Sequence, residues 1–265
     1  MRTWHVHCTY STEPESQQQY ETEDKPLKDN MDALNNKDSS LSQEVTIRPY
    51  KEEDYNRCRE IFTEGMQQLV NPVMDIVFPR YLKIASVLLI LVLAVAFRWS
   101  LWVVGLYIIL CVILTALLYI NIYIQVMKFV SGCLNSDLLD ISDNYKGDSC
   151  MFIAEFHGEV VGMVGMMHSD QHKQGVVELQ RMSVSRTVRR RGIANSLSKE
   201  LIAVAKRKEF NKIILSTTGA QTGAKALYKK CGFQMVAQFP YPQKVLEELS
   251  FDCFELDLIT ALDTS

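Results

Sequence analysis

The sequence lacks the features that identify several large functional classes. Its formal net charge is only -3 over 265 residues, so composition predicts no nucleic-acid partner. The seven cysteines show no CxxC spacing, which argues against a zinc site. The P-loop of nucleoside triphosphatases and the glycine-rich turn of dinucleotide-binding folds are also absent. We therefore expect no bound metal and neither of those two cofactor sites.

Large aliphatic residues are scarce near the N-terminus, where Ser, Gln, Asn and charged residues predominate. Such a segment buries too little apolar surface to offset its ordering entropy, and we expect residues 1–43 to be a disordered polar tail. The segment also lacks the apolar core of a secretory signal, so membrane insertion would use an internal segment. Residues 259–265 are expected to form a short C-terminal tail.

Charged residues are absent from two runs in the first half of the chain, Ile84–Phe97 and 101–124. The second run is long enough to cross a bilayer as a helix. The first covers only about 14 residues, or roughly 21 Å of helix, and would have to include residues before Lys83 to span. Arg80, Lys83 and Lys128 flank the pair, which places both outer ends in the cytosol by the positive-inside rule.

A strand pattern at Val45–Tyr50 precedes these runs, and further strand patterns follow them. If all belong to one sheet, the chain must return to the side that it left. We therefore expect a hydrophobic membrane hairpin over 81–126, turning at 98–100 and inserted within a domain that covers 44–258. The alternative, a hairpin buried in a soluble core, is disfavoured by the lack of polar residues.

The remaining pattern is that of a mixed α/β domain. A helix is predicted after residue 54, because apolar residues recur there at helical spacing up to Leu69. Alternation and turn residues predict the other elements: strands over 151–156, 160–167, 175–184, 212–217, 233–239 and 250–258, and helices over 192–208 and 222–230.

The strand that ends at Val184 leads through a short basic loop into the start of a helix. The first backbone N–H groups of a helix have no intrahelical partner, and together with the helix dipole they form an anion site. A glycine allows phosphate oxygens to approach the backbone, and arginines add donors. The segment therefore predicts a pyrophosphate site at Arg189, Arg190, Arg191, Gly192, Ile193 and Ala194. A solvated basic run and a lipid-headgroup contact are the alternatives.

Two motifs resemble signatures of the GNAT superfamily of N-acetyltransferases. The acetyl-CoA motif of that family, Gln/Arg-x-x-Gly-x-Gly/Ala, is matched by Arg189, Gly192 and Ala194. A second family signature is matched by Ala224, Leu227, Tyr228, Gly232 and Phe233. The resemblance covers roughly 45–70 and 150–258, and it implies an α/β GNAT fold. In that fold a mixed, mostly antiparallel twisted sheet is flanked by helices, and here the hydrophobic helical membrane hairpin would be an insertion.

The resemblance also implies roles for individual residues, with acetyl-CoA as the cosubstrate. Main-chain groups of Met182 and Val184 would bind the pantetheine arm, and Tyr228 would protonate the departing thiolate. Gln221 stands where the family usually has Asn, so its contact with the cofactor departs from the pattern. Glu178 lies where some members place a general base. The residues alone leave open that Tyr228 is a packed aromatic and that Glu178 is a surface carboxylate.

Within the superfamily, the position of the apolar block resembles that of the camello-type membrane N-acetyltransferases, as do the segments Val177–Val184 and Arg191–Ala194. That group includes aspartate and cysteine S-conjugate N-acetyltransferases. The resemblance implies acetyl transfer to the amine of a small amino-acid-type acceptor at the endoplasmic reticulum membrane. The catalytic domain would be cytosolic, and the lipid bilayer and the amine would be the partners. The alternatives are a protein-lysine N-acetyltransferase at the endoplasmic reticulum and a non-catalytic acetyl-CoA-binding membrane module.

Overall fold

The computed structural model describes residues 45–99, 102–242 and 246–259. The predicted tail at 1–43 lies outside the described residues, as do residue 100 of the predicted turn and the end of the chain from 260 to 265.

One sheet of seven strands organises the domain, in the order β1-β2-β3-β4-β5-β7-β6. All neighbouring strands are antiparallel except β4 and β5, which are parallel. The sheet confirms the predicted mixed, mostly antiparallel architecture. The strands are β1 Val45–Pro49, β2 Cys150–Phe156, β3 Glu159–Met167, β4 Val176–Val184, β5 Lys212–Thr218, β6 Gln234–Pro240 and β7 Ser250–Asp257.

Helices cover both faces of the sheet, so alternate residues of the central strands are buried on opposite sides. In β2, Phe152 and Ala154 face one apolar cluster, whereas Met151 and Ile153 face another. The helices are α1 Tyr55–Gln67, α2 Val70–Trp99, α3 Trp102–Leu134, α4 Ile141–Asn144, α5 Ile193–Arg207 and α6 Thr222–Lys230. The first cluster packs α5 and α6 on the sheet, and the second packs α1 and the end of α3.

The two apolar runs lie in helices that are longer than the runs themselves. Helix α2 begins at Val70 and includes Pro79, so its 30 residues extend about 45 Å. Both helices extend beyond the range 81–126 that is expected for the membrane hairpin, because α2 begins at Val70 and α3 ends at Leu134. Residues before Lys83 are helical because their apolar side chains are buried: Val70, Val73 and Val77 pack against Ile122 of α3.

Farther from the domain, the same helices are uncovered by the described part of the chain. Large exposed apolar side chains follow α2 from Tyr81 to Leu93 and α3 from Trp102 to Ile124. Both helices are long and apolar enough to cross a membrane, and only 6% of the most apolar window of each is buried. The Tyr107 hydroxyl donates to the Ala85 carbonyl, which joins the two helices. Among the described residues, this exposure argues against the alternative of a hairpin buried in a soluble core.

The end of the hairpin nearest the sheet packs against the loop between β6 and β7. Leu246 and Leu249 of that loop belong to the cluster that contains Val77 and Ile122. Arg80 forms salt bridges with Glu247 and Glu248, the second at 2.8 Å between Nη1 and Oε1.

Candidate active site

A cleft opens in the middle of the sheet, where β4 and β5 separate. These strands pair only from Val176 to Glu178, which face Lys212 to Ile214, although β4 continues to Val184 and β5 to Thr218. Beyond the pairing, the two facing edges present main-chain groups to the space between them. Glu178 marks the apex of this V-shaped cleft.

A bulge in β4 determines which side chains flank the cleft. Gly165 of β3 faces Gln180, and Met163 faces Ser183, so that two β4 residues lie opposite one β3 residue. Arg181, in the bulge, has a φ of 55°, which is uncommon for a residue with a Cβ. The sequence pattern of β4 did not predict this bulge.

The loop after β4 forms the start of helix α5 as an uncapped helix end. A short 3-10 turn at Arg186–Val188 is followed by two residues with positive φ, Arg190 at 63° and Gly192 at 76°. No side chain caps the helix at Gly192. The amide of Ser196 donates to the Gly192 carbonyl at 3.0 Å, which leaves the three preceding amides pointing beyond the helix end. This is the donor arrangement of an anion site.

Gly192 serves this loop through its backbone conformation. A Cβ at this position would meet open space, but its positive φ favours glycine. Glycine is also expected here because it lets a phosphate approach the backbone closely. The open space at this position is compatible with such an approach.

Two of the three arginine side chains in the loop have neighbours within the domain. The Arg189 Nε donates to the Val184 carbonyl at 3.3 Å, and the Arg191 guanidinium lies 5.1 Å from the centre of the Phe156 ring. Two of the three predicted guanidinium groups therefore contact the protein itself. The main-chain amides at the start of α5 remain the best-oriented donors.

Tyr228 is buried in α6, with 6% of its surface exposed. Its ring centre lies 5.8 Å from that of Phe233 and 6.2 Å from that of Phe254. Burial raises the pKa of Tyr228, so its phenol stays protonated at neutral pH, as an acid requires. The packing is equally that expected of a core aromatic, so the catalytic role remains a prediction.

The end of α6 fixes Tyr228 relative to the anion site. The amide of Phe233 donates to the Tyr228 carbonyl at 3.0 Å, and that of Gly232, with a φ of 91°, donates to the Lys229 carbonyl at 3.0 Å. These bonds form a Schellman motif, which requires a left-handed residue at the position of Gly232. Cys231, at the end of α6, connects this helix to α5, because its thiol donates a hydrogen bond to Asn195 Oδ1 at 3.6 Å.

Glu178 lies on the opposite face of the sheet from Tyr228. Its neighbours Val177 and Leu179 belong to the cluster that contains Tyr228, and successive strand residues face opposite ways. Glu178 and Tyr228 can therefore act on one molecule only through the cleft. His172, which the sequence did not single out, lies close to the carboxylate, with its Nε2 3.8 Å from Glu178 Oε2.

The other predicted contacts also border the cleft. Met182 and Val184 are half-buried on the α5 side of β4. Gln221 immediately precedes α6, and its amide donates to the Thr218 carbonyl at 2.9 Å. Its side chain does not cap the helix.

Two hydroxyl groups at the end of β5 form a further feature of the cleft. The side-chain oxygens of Thr217 and Thr218 are buried and have no hydrogen-bond partner among the described residues. Leaving a buried hydroxyl without a partner is costly, so these groups are candidates for ligand contacts. The sequence analysis assigned them no role in binding, because threonine is also an ordinary strand residue.

The chain is similar to known proteins. The model of the acetyltransferase (GNAT) family matches residues 124–233. A mouse (Mus musculus) protein named N-acetyltransferase 8F1 is 30% identical over 73% of this chain and 87% of its own length. A frog (Xenopus tropicalis) protein named "Probable N-acetyltransferase camello" is 31% identical over 78% of this chain and 94% of its own. A crystal structure of a GNAT-family acetyltransferase from Staphylococcus aureus Mu50 has a TM-score of 0.49 and 15% identity, over 81% of this chain and 99% of its own.

Proposed function

The chain belongs to the camello-like N-acetyltransferases of the GNAT family and is an acetyl-transfer enzyme, and we propose that it acetylates small amino-acid-type amines from acetyl-CoA at a membrane. Aspartate and cysteine S-conjugates are the proposed acceptor classes. The single observation that carries the proposal is the uncapped start of α5 beside the split between β4 and β5.

Acetyl-CoA fits the groups that border this cleft. Its diphosphate would accept hydrogen bonds from the main-chain amides of Ile193 and Ala194, which point beyond the helix end. Its pantetheine arm would lie along the edge of β4, within reach of the main chain of Met182 and Val184. The thioester would then lie between the separated strands, within reach of groups from both faces of the sheet.

The proposed transfer uses one proton acceptor and one proton donor. The acceptor nitrogen attacks the thioester carbonyl and forms the C–N bond as the C–S bond breaks. Glu178, directly or through a water molecule, takes the proton from the amine, and the Tyr228 hydroxyl protonates the departing thiolate. Positioning of the amine against the thioester supplies the rest of the rate enhancement.

The proposed site for a small acceptor with both charges is an open surface depression beside α1 and the loop after β4. Its volume is about 370 Å³, and it is lined by Glu64, Gln67, Gln68, Asn71 and Arg186. That size lies within the range of small-molecule sites. An acidic and a basic side chain suit an ammonium and a carboxylate, respectively. Arg186 follows the end of β4 by two residues, so the depression adjoins the end of that strand.

The membrane part of the proposal rests on the exposed apolar surface of α2 and α3. Each helix is longer than the roughly 30 Å hydrocarbon core of a bilayer. The flanking Lys83 and Lys128 favour a cytosolic position for the catalytic domain. Resemblance to the camello-type enzymes supports the endoplasmic reticulum as the compartment.

A substrate screen tests this function. Purified protein in detergent is supplied with acetyl-CoA and with aspartate, S-benzylcysteine or a lysine-containing peptide, and thiol release is followed with mass spectrometry of the product. We expect N-acetylated aspartate or S-benzylcysteine to form much faster than acetylated peptide. Preferential peptide acetylation would favour the protein-lysine enzyme, and cofactor binding without turnover of any acceptor would favour the non-catalytic module.

A further inference from the structure

A buried ion pair holds the bulge of β4. Arg181 Nε lies 2.8 Å from Asp137 Oδ2, and Arg181 Nη2 lies 2.7 Å from Asp137 Oδ1, so the guanidinium donates two parallel hydrogen bonds. Only 14% of each side chain is exposed. Paired, charge-assisted bonds of this kind are strong and fix the orientation of both partners.

Further polar side chains complete the environment of this pair. The Tyr145 hydroxyl donates to Asp137 Oδ2 at 2.7 Å, and the Gln180 amide nitrogen donates to the Tyr145 oxygen at 3.0 Å. The Tyr145 ring lies directly on Gly165, where a Cβ would be 2.5 Å from a ring carbon. The Asp137 carboxylate therefore holds two β4 residues, Arg181 directly and Gln180 through the Tyr145 hydroxyl.

The backbone of Arg181 needs such support. A left-handed conformation is unfavourable for a residue with a Cβ, and it persists only where its surroundings determine it. The two hydrogen bonds to Asp137 require the Arg181 guanidinium to lie on the face of the sheet that packs against α1. The positive φ of Arg181 allows this orientation.

The bulge in turn sets the orientation of the cofactor edge. Before it, Val177 and Leu179 pack towards α5; after it, the even-numbered Met182 and Val184 do so. Without the extra residue, strand alternation would turn Met182 and Val184 to the other face. The main-chain groups beside the cleft depend on the same geometry.

Asp137 itself is anchored at the exit of the hairpin. It follows α3, and Arg59 of α1 donates to the carbonyl of Leu134, at 2.7 Å, and to that of Leu138. The amide of Leu138 also donates to the Cys133 carbonyl at 3.1 Å. The turn that carries Asp137 is thus fixed between the hairpin and α1.

We propose that Asp137 is a positioning residue for acetyl-CoA, which acts through Arg181 to hold the β4 bulge and the main chain of Met182 and Val184 at the cleft. This rests on the proposed function, in which those two residues bind the pantetheine arm.

The test compares two similar ion pairs in the full-length protein in detergent. Asp137→Asn weakens the pair at the bulge. Asp54→Asn is the control, because Arg48 holds Asp54 through bonds of 2.7 and 2.9 Å, but Arg48 lies on the edge strand β1. Both carboxylates are poorly accessible, with 3% of the Asp54 side chain exposed and 14% of that of Asp137. Calorimetry gives the dissociation constants for acetyl-CoA and for adenosine 3′,5′-bisphosphate, and thermal unfolding gives stability.

We expect both variants to lower the unfolding midpoint. Asp137→Asn should raise the dissociation constant for acetyl-CoA at least tenfold and leave that for the bisphosphate within twofold. Asp54→Asn should leave both constants within twofold. Equal weakening of acetyl-CoA binding by the two variants, or no weakening by Asp137→Asn, would overturn the proposal. Failure of the unchanged protein to bind acetyl-CoA would instead refute the proposed function.

Tyr145→Phe provides a milder variant in case Asp137→Asn does not fold. It removes the hydroxyl that donates to Asp137 and keeps the ring on Gly165. A threefold or larger rise in the acetyl-CoA dissociation constant, with unchanged bisphosphate binding, supports the positioning role. Unchanged acetyl-CoA binding contradicts it.

Discussion

At the scale of single residues, Tyr228 carries the most specific chemical hypothesis. Its hydroxyl is proposed to protonate the thiolate, and burial among aromatic rings keeps it protonated. The same burial suits both a protonated acid and a packed core aromatic. A motif identifies the residue, but only kinetics separates an acid from a packed ring.

Tyr228→Phe keeps the packed ring and removes the proton. We expect kcat to fall by about 10²–10⁴-fold, the usual contribution of a general acid, while the dissociation constant for acetyl-CoA changes by less than about threefold. Steady-state kinetics and calorimetry measure the two effects. Tyr123→Phe, on the exposed part of α3, is the control and should retain full activity. A Tyr228→Phe enzyme with an unchanged kcat would show that the acid lies elsewhere.

The raised pKa of Tyr228 also has a consequence for pH dependence. Burial favours the neutral phenol, so the protonated form persists to a higher pH than the ordinary value of about 10. We therefore expect the kcat profile of the full-length enzyme to show no loss from this group between about pH 7 and pH 10. An alkaline decline near pH 8 that disappears in Tyr228→Phe would contradict this expectation.

At the scale of elements, the sequence predicted that the two apolar runs form helices, but it did not predict where α2 begins. Absence of charge identified both apolar runs. The extension of α2 back to Val70 depends on burial of Val73 and Val77 against Ile122, a long-range contact that no local pattern encodes. The bulge at Arg181 escaped prediction for the same reason, because its partner Asp137 lies 44 positions away in the chain.

Shortening the hairpin should separate membrane attachment from folding. Replacement of 82–117 by a short Gly-Ser linker removes most of the exposed apolar surface and keeps Ile122 in its cluster. We expect this variant to move to the supernatant after carbonate extraction of membranes, whereas the full chain stays in the pellet. Deletion of 1–43 is the control and should not change the distribution. Carbonate-resistant pelleting of the shortened protein would mean that another surface holds it.

At the scale of the whole molecule, much of the fold followed from local signals. Alternating apolar residues and the turn at Gly158 predicted β2 and β3, and helical spacing predicted α5. The order of the strands did not follow, because the pairing of β5 with β7 joins elements separated by α6 and β6. Local motifs likewise predicted an anion site. They did not predict that His172 lies near Glu178, because the loop before β4 brings the two residues together only in the folded domain.

Acid should destabilise the whole domain through its paired carboxylates. Burial alone would raise the pKa of Asp54, Asp137 and Asp252, but hydrogen bonds from Arg48, Arg181 and Lys225, respectively, hold each pKa below its ordinary value. A lowered pKa contributes stability that is present above the unfolded value of about 4 and is lost as the pH falls through the folded value. We expect the unfolding midpoint to fall steeply below about pH 4, and to fall less steeply in Asp54→Asn. An equal slope in both proteins would contradict this account.

The diphosphate site at the start of α5 is tested most directly by a calorimetric comparison of acetyl-CoA with S-acetylpantetheine, which lacks the diphosphate and the 3′-phosphoadenosine attached to it. Hydrogen bonds to charged groups contribute about 1.5–3 kcal/mol each, so two amides at the start of α5 should make acetyl-CoA bind at least about 100-fold more tightly. Gly192→Asp should abolish that preference. Gly158→Asp, at a turn with a φ of 81° and open space around it, should retain it. Equal affinity of the unchanged protein for the two ligands, or a preference that survives Gly192→Asp, would contradict the assignment of the diphosphate site.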